Sequence, residues 1–252
     1  QKATRFRGKG VQIAVENINQ EIYECLVGLD ASRQDMIDNR MIELDGTDNK
    51  GRLGANSILA VSLAVARASA KSQESSLYRY LGGIGKKTLP TPMMNVINGG
   101  AHANNNLDIQ EFMIVPYGFE SLKEAVRCGV ETFHTLRDII GGQKMPTTVG
   151  DEGGFAPNLE NNKQALDLIL KAIEKAGFSW KNQVGIALDC ASTEFFHQGQ
   201  YHLASESQVF SSSEFINYLD QLVNQYPIIS IEDGMSEGDQ EGWQELTKSL
   251  GS

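Results

Sequence analysis

The chain has 252 residues, enough for one large domain or two small ones with ample core. Hydrophobic content of 40% and charged content of 21% are those of an ordinary soluble globular protein, not of a disordered or fibrous chain. The net charge of −10 repels phosphate backbones and anionic membranes, which argues against nucleic acid as a main partner and against membrane insertion. The basic start, Lys2 to Lys9, holds four cations and leads straight into an amphipathic segment, so no basic patch rescues that reading. No run of about 18 apolar residues and no signal peptide is present. Cys25, Cys128 and Cys190 are odd in number and lack zinc spacing, and read as small buried thiols of a reducing cytosol.

In chain order, Val11, Ala14, Val15, Ile18, Ile22 and Leu26 recur at three- and four-residue steps, which predicts a surface helix with one buried stripe. The segment from Asp45 to Gly51 is a polar, glycine-flanked turn. From Ala55 to Ala70 the chain is rich in Ala and Ser, with Ile58, Leu59, Val61, Leu63 and Val65 spread round the circumference. That spread predicts a helix packed on nearly all sides. Gly82 to Lys87 is the best linker, placing a helical unit at 1–88 and a second unit at 89–252.

Beyond the linker, short apolar strands alternate with helices. Met93 to Ile97 and Gln110 to Val115 read as strands. A helix follows from about Ser121 to Ile140, with Leu122, Val126, Val130, Phe133 and Leu136 on one face. Thr147-Thr148-Val149 leads into Gly150-Asp151-Glu152-Gly153-Gly154, and a second helix carries Leu166, Ile169, Leu170 and Ile173. Val184 to Leu188 is a strand ending at Asp189, and Phe195 to His202 a small hairpin. Ser211 with Glu214 is a capping box that opens a helix through Leu219, Leu222 and Val223. Ile228 to Ile231 is a strand ending at Glu232, before a helix around Trp243. Strands that are near-continuous apolar runs alternating with helices predict a parallel sheet buried on both faces. No Gly-x-Gly-x-x-Gly and no Walker loop appears.

The carboxylates carry the chemistry. Strand-like runs lead into Asp151-Glu152, Asp189 and Glu232, and a fourth acid, Glu111, lies between Gln110 and Phe112. The steps of 41, 37 and 43 residues each suffice for a strand, a helix and their loops. In a parallel barrel the strand ends meet at one face, so these acids converge. Two carboxylates about 4 Å apart repel by roughly 4 kcal/mol at an intermediate dielectric. Either a divalent cation sits among them or some are protonated. Oxygen-only ligands suit magnesium, manganese or calcium better than zinc. The competing reading, that each acid caps a helix or pairs with a surface lysine, weakens with four of them. His102 lies in a Gly- and Asn-rich loop, Asn98 to Asn106, whose glycines permit close backbone approach to a ligand. His134, His197 and His202 lack such a context and read as surface or packing residues.

These residues resemble the enolase family. The resemblance is carried by Met93 to Gly100, His102-Ala103, Asp108 to Met113, Val149 to Asn158, Ala187-Leu188-Asp189 and Ser230 to Gly234, in order and at its spacing. Leu44 to Thr47 and Gly54 to Ser62 resemble its N-terminal domain. The match runs over essentially the whole chain, and the bacterial form is nearest in flavour. The resemblance implies an α/β fold: a (β/α) TIM-type barrel beginning near Leu89, with an N-terminal α+β capping domain, both only partly present. It implies a glycolytic lyase that dehydrates 2-phospho-D-glycerate to phosphoenolpyruvate with Mg2+, as a homo-oligomer, in the cytoplasm or also at the cell surface or secreted. By position, Asp189 and Glu232 resemble metal ligands, Glu152 the acid at the leaving hydroxyl, and Glu111 its partner acid. Gln110 resembles a substrate contact and His102 the loop residue over the phosphate end. The family's lysine base, third metal carboxylate, phosphate-binding groups and second-metal loop find no counterpart here, so the chain by itself is expected to be inactive. The alternatives are another proton-abstracting barrel of the same superfamily, or a surface-exposed binding or antigenic protein. The Gly150 to Gly154 block argues against the first.

Overall fold

The computed structural model describes residues 5–251. It divides into two compact units, Gln1–Thr88 and Leu89–Ser252.

The first unit is helical. Gln12–Asn17 (α1), a π-helical turn at Ile18–Ile22 and Tyr23–Leu26 (α2) run on without a break. They are followed by Gln34–Asp45 (α3), Ala55–Ser72 (α4) and Leu77–Gly82 (α5). The core is a cluster of Ile22, Ile37, Met41, Leu53 and Ile58, with Ile18 and Leu26 beside it. Val11 and Val15 remain exposed, so the buried stripe of the first helix is shorter than its periodicity predicts. The α4 helix departs from expectation too. One face is buried, through Ser57, Ile58, Ala66, Ser69 and Ala70, while Leu59 and Leu63 are 59% and 50% exposed. Its helical neighbours within the unit, α1, α3 and α5, leave the remaining faces open.

The Asp45-Gly46-Thr47 motif has a structural cause. Gly46 takes φ 69°, the left-handed turn that ends α3. Asp45, 2% exposed, accepts the backbone N–H groups of Thr47 and Leu53 and the Thr47 hydroxyl.

The second unit carries a four-stranded sheet in the order β1-β2-β3-β7: Met94–Asn98 (β1), Glu111–Val115 (β2), Gly185–Asp189 (β3) and Ile228–Glu232 (β7). The helices are Leu122–Gly142 (α6), Asn162–Lys175 (α7), Ser212–Gln225 (α8) and Gln240–Leu250 (α9). Between β3 and α8 a small meander, Phe196–His197 (β4), Gln200–Leu203 (β5) and Gln208–Phe210 (β6), extends the expected hairpin by one strand. Side-chain oxygens of Ser121, Asn161, Ser211 and Asp239 cap the four helices, and Ser211 with Glu214 forms the full capping box.

The sheet corrects the expectation of parallel strands throughout. β2 runs antiparallel to both β1 and β3, and only β3 and β7 are parallel. The connections explain this. A loop without a crossover helix joins β1 to β2, two helices carry the chain from β2 and return it reversed to β3, and a single helix, α8, then makes a parallel crossover. A second correction concerns Thr147-Thr148-Val149, which is no strand of the sheet. Proline at 146 and glycine at 150 keep it short, and it folds back as a tight loop through a Val149–Phe155 bridge. Within β3 all five residues are buried, whereas β7 has one strand neighbour among the described residues and exposes Ile229 at 56%.

The main core joins Phe112, Ile114, Ile186 and Leu188 of the sheet to Leu136 and Ile140 of α6 and Leu166, Ile169 and Ile173 of α7. Each such side chain contributes about 1.5–3 kcal/mol on burial. The expected face of α6 is buried only in its second half. Leu136 is fully buried and Phe133 packs against the core, whereas Leu122, Val126 and Val130 are exposed and Ala125, Cys128, Gly129 and Thr132 face inward. Small side chains win that face because Met94 presses on it so closely that a Cβ at Gly129 would overlap its Sδ. All three cysteines are free thiols; Cys128 and Cys190 are buried and Cys25 is half-buried.

Candidate active site

Reversal of β2 is what assembles the site. In a parallel strand, Glu111 would sit at the wrong end of the sheet, since it begins β2. Running backwards, β2 starts where its neighbours finish. Asn98, Glu111, Asp189 and Glu232 are successive register partners, one row across four strands. Backbone bonds hold the row, from Gly99 N–H to Gln110 C=O at 2.8 Å, Gln110 N–H to Asp189 C=O at 3.0 Å, and Cys190 N–H to Glu232 C=O at 3.0 Å.

Beyond the row, Ala191, two residues after β3, and Asp233, directly after β7, take left-handed φ of 46° and 47°. Such backbone costs on the order of 1–3 kcal/mol per residue and collects at functional sites. The Ala191 turn returns its N–H to Asp189 Oδ1 at 3.0 Å, and Gln110 Nε2 donates to Asp189 Oδ2 at 3.1 Å.

Two loops meet at the β1 end of the row. Asn105 donates to the carbonyls of Asn98 and Pro157, and Asn106 bridges to the backbone of Leu159, so the asparagine run ties the histidine loop to the Gly150–Gly154 loop. Asp151 N–H donates to His102 C=O at 3.2 Å. The loops meet on Asn98, which is fully buried; a Cβ at Gly150 would lie 2.2 Å from its Nδ2 and 2.7 Å from His102 O. His102 turns its ring toward the row, with Nδ1 3.3 Å from Glu111 Oε1, a close contact without hydrogen-bond alignment. Asp108, just before Gln110, anchors this segment by accepting from Ala204 N–H, Ser205 N–H and the Ser205 hydroxyl.

The electrostatics follow from burial and like charge. Burial pushes the Glu111 carboxyl above its ordinary value, Asp189 pushes it further, His102 opposes, and Glu152 and Glu232 add to the rise. Burial, then Asp189 and Asp233, raise Glu232. Glu152 is exposed on its loop and acts on Glu111 through charge.

The structure thus brings Glu111, Asp189 and Glu232 into one row with Gln110 and His102 against it, and holds Glu152 on the loop locked to His102. Sequence reasoning missed Asn98 as a component. Its only signal was a polar residue closing an apolar strand before two glycines. No lysine among the described residues stands at this end of a strand.

The donor set bears on a metal. Among the described residues no group of three or more His, Cys, Asp or Glu side chains is arranged to hold one. Asp189 and Glu232 form a pair of hard oxygen donors on adjacent strands. That suits magnesium, which is bound through one or two carboxylates with water and substrate oxygens completing its shell.

A four-stranded α/β sheet with its acids gathered at one end, beside two glycine-rich loops, has the layout of an enzyme site built at the strand ends of a barrel. Residues 86–252 match the family described as Enolase, C-terminal TIM barrel domain, and residues 1–81 match Enolase, N-terminal domain. The chain belongs to the enolase family. Membership makes it a lyase of the enolase superfamily, a group dependent on metal in general. Among the described residues no helix is long and apolar enough to cross a membrane.

Proposed function

We propose that the chain carries the acid and metal-holding half of a phosphopyruvate hydratase site, for the reversible glycolytic dehydration of 2-phospho-D-glycerate to phosphoenolpyruvate with magnesium. The observation that carries this is the in-register row Glu111–Asp189–Glu232 with the His102 and Glu152 loops locked beside it. Three free thiols agree with a reducing cytoplasm.

Asp189 and Glu232 are the residues that would hold magnesium. The chemistry supplied by a bound magnesium is neutralisation of the substrate carboxylate and of the charge gathered there as the C2 proton leaves. Glu152 is the acid at the C3 oxygen: a proton delivered there lets the hydroxyl leave as water when the C3–O bond breaks, since bare hydroxide is a poor leaving group. Glu111, held up by burial and by its acidic neighbours, is the adjacent carboxyl that shares this proton inventory. His102 covers the phosphate end of the substrate, and Gln110, just before β2, is a substrate contact. The glycine-rich loops pack together through Gly150, the Asn98 side chain and the His102 carbonyl.

The test is formation of phosphoenolpyruvate, followed by its ultraviolet absorbance, with purified full-length protein, 2-phosphoglycerate and magnesium chloride. Turnover that vanishes with EDTA and returns with magnesium is expected. Absence of phosphoenolpyruvate under saturating magnesium would overturn the assignment.

A further inference from the structure

Asp189 is 8% exposed, and each of its carboxylate oxygens is engaged once: Oδ1 by the Ala191 N–H and Oδ2 by the Gln110 amide. A carboxylate gripped at both oxygens has lost rotation about its last bond, and its remaining lone pairs are fixed in direction. Gln110 can grip because it is itself held. Its N–H donates to the Asp189 carbonyl at 3.0 Å and its carbonyl accepts from Gly99 N–H at 2.8 Å. The side-chain bond therefore closes a short ring between β2 and β3, with backbone on one side and amide on the other.

We propose that Gln110 is a positioning residue for Asp189, fixing the carboxylate toward Glu232 so that the two offer converging oxygens to a cation. This rests on the reading of Asp189 as a metal ligand. The chemistry of the amide favours it. A neutral donor orients an anion without cancelling its charge, whereas a lysine there would compete with the cation it is meant to serve. The amide also carries a second Nε2 hydrogen and an oxygen, so the same side chain can meet substrate as well.

The experiment titrates magnesium chloride into full-length protein by calorimetry, without substrate, for wild type, Gln110→Leu, Gln110→Asn and Asp189→Asn. Thermal midpoints in EDTA are measured beside it. Loss of such an orienting partner weakens metal binding by roughly 10-fold or more. That is the expected rise in magnesium Kd for Gln110→Leu, with midpoints in EDTA unchanged. Gln110→Asn, one methylene short of Asp189, should fall between Leu and wild type, and it decides the matter if the Leu variant does not fold. Wild-type magnesium affinity in the Gln110 variants, with affinity lost in Asp189→Asn, overturns the inference and leaves Gln110 a substrate contact. A lowered midpoint in EDTA that accounts for the loss also overturns it. Unchanged affinity in Asp189→Asn instead refutes the metal reading on which it rests.

Discussion

Replacing Gly150 by alanine tests whether the two loops must touch. The new Cβ would lie 2.2 Å from Asn98 Nδ2 and 2.7 Å from His102 O. To reach ordinary contact at 3.4 Å, the amide must retreat by about 1.2 Å and the carbonyl by about 0.7 Å. Asn98 is fully buried and has nowhere to swing, and the other obstacle is backbone, so the Gly150–Gly154 loop moves instead. Overpacking of this kind costs about 1–3 kcal/mol. Each kcal/mol lowers the thermal midpoint by about 2–4 °C in a protein of this size. Displacing Glu152 relative to His102 by a substantial part of an ångström should cost on the order of 10–100-fold in kcat/KM. Gly142→Ala is the control, since a Cβ there meets nothing within 4 Å. Scanning calorimetry and initial rates of phosphoenolpyruvate formation read both quantities. A Gly150→Ala variant with wild-type midpoint and wild-type turnover would refute the claim that close loop packing sets the geometry.

Asp189→Asn and Glu232→Gln should each weaken magnesium binding and abolish turnover while the metal-free protein folds normally, or gains slightly as repulsion within the row is relieved; normal magnesium dependence in both would show that they are not ligands. Glu152→Gln should cut dehydration far more than exchange of the substrate C2 proton with solvent, because only departure of hydroxide needs this acid; equal losses, measured by rate and by isotope exchange, would move Glu152 out of that step. Asp239 accepts from the Tyr201 and Ser212 hydroxyls at 2.7 and 2.6 Å and from Gly242 N–H at 2.9 Å. Burial pushes its carboxyl up, but those bonds outweigh burial and hold it below the ordinary value. Its contribution is therefore present above the unfolded pKa of about 3.9 and fades as pH falls through the lower folded value. Asp239→Asn should destabilise by about 1–3 kcal/mol at neutral pH, with the gap to wild type narrowing below pH of about 4 in urea titrations; a gap that stays constant into acid would contradict this.

Composition and pattern determined much by themselves. The linker-like run from Gly82 to Lys87, the apolar strands ending in Asp189 and Glu232, the Ser211–Glu214 capping box and the resemblance to enolases were all legible in the residues, because caps, turns and short apolar runs are local. The resemblance also points to His102, Gln110, Glu111 and Glu152. The direction of β2 could not be read that way. A strand has the same apolar pattern in either direction, so whether Glu111 lies with Asp189 or a strand length away is decided by how the connecting loop and helices return the chain. The face of α6 was legible only in part. Leu136 of the apolar stripe is buried and Phe133 packs against the core. At Leu122, Val126 and Val130 the core takes the side with Ala125, Cys128 and Gly129 instead, because closeness of approach depends on the partner surface. The grip of Gln110 on Asp189 joins residues 79 positions apart, and Asn98 matters through contacts with Gly150. Sequence supplies the acids and the glycines; only the tertiary structure sets the register that places them in one row, because pairing across strands is a property of the sheet and not of any one segment.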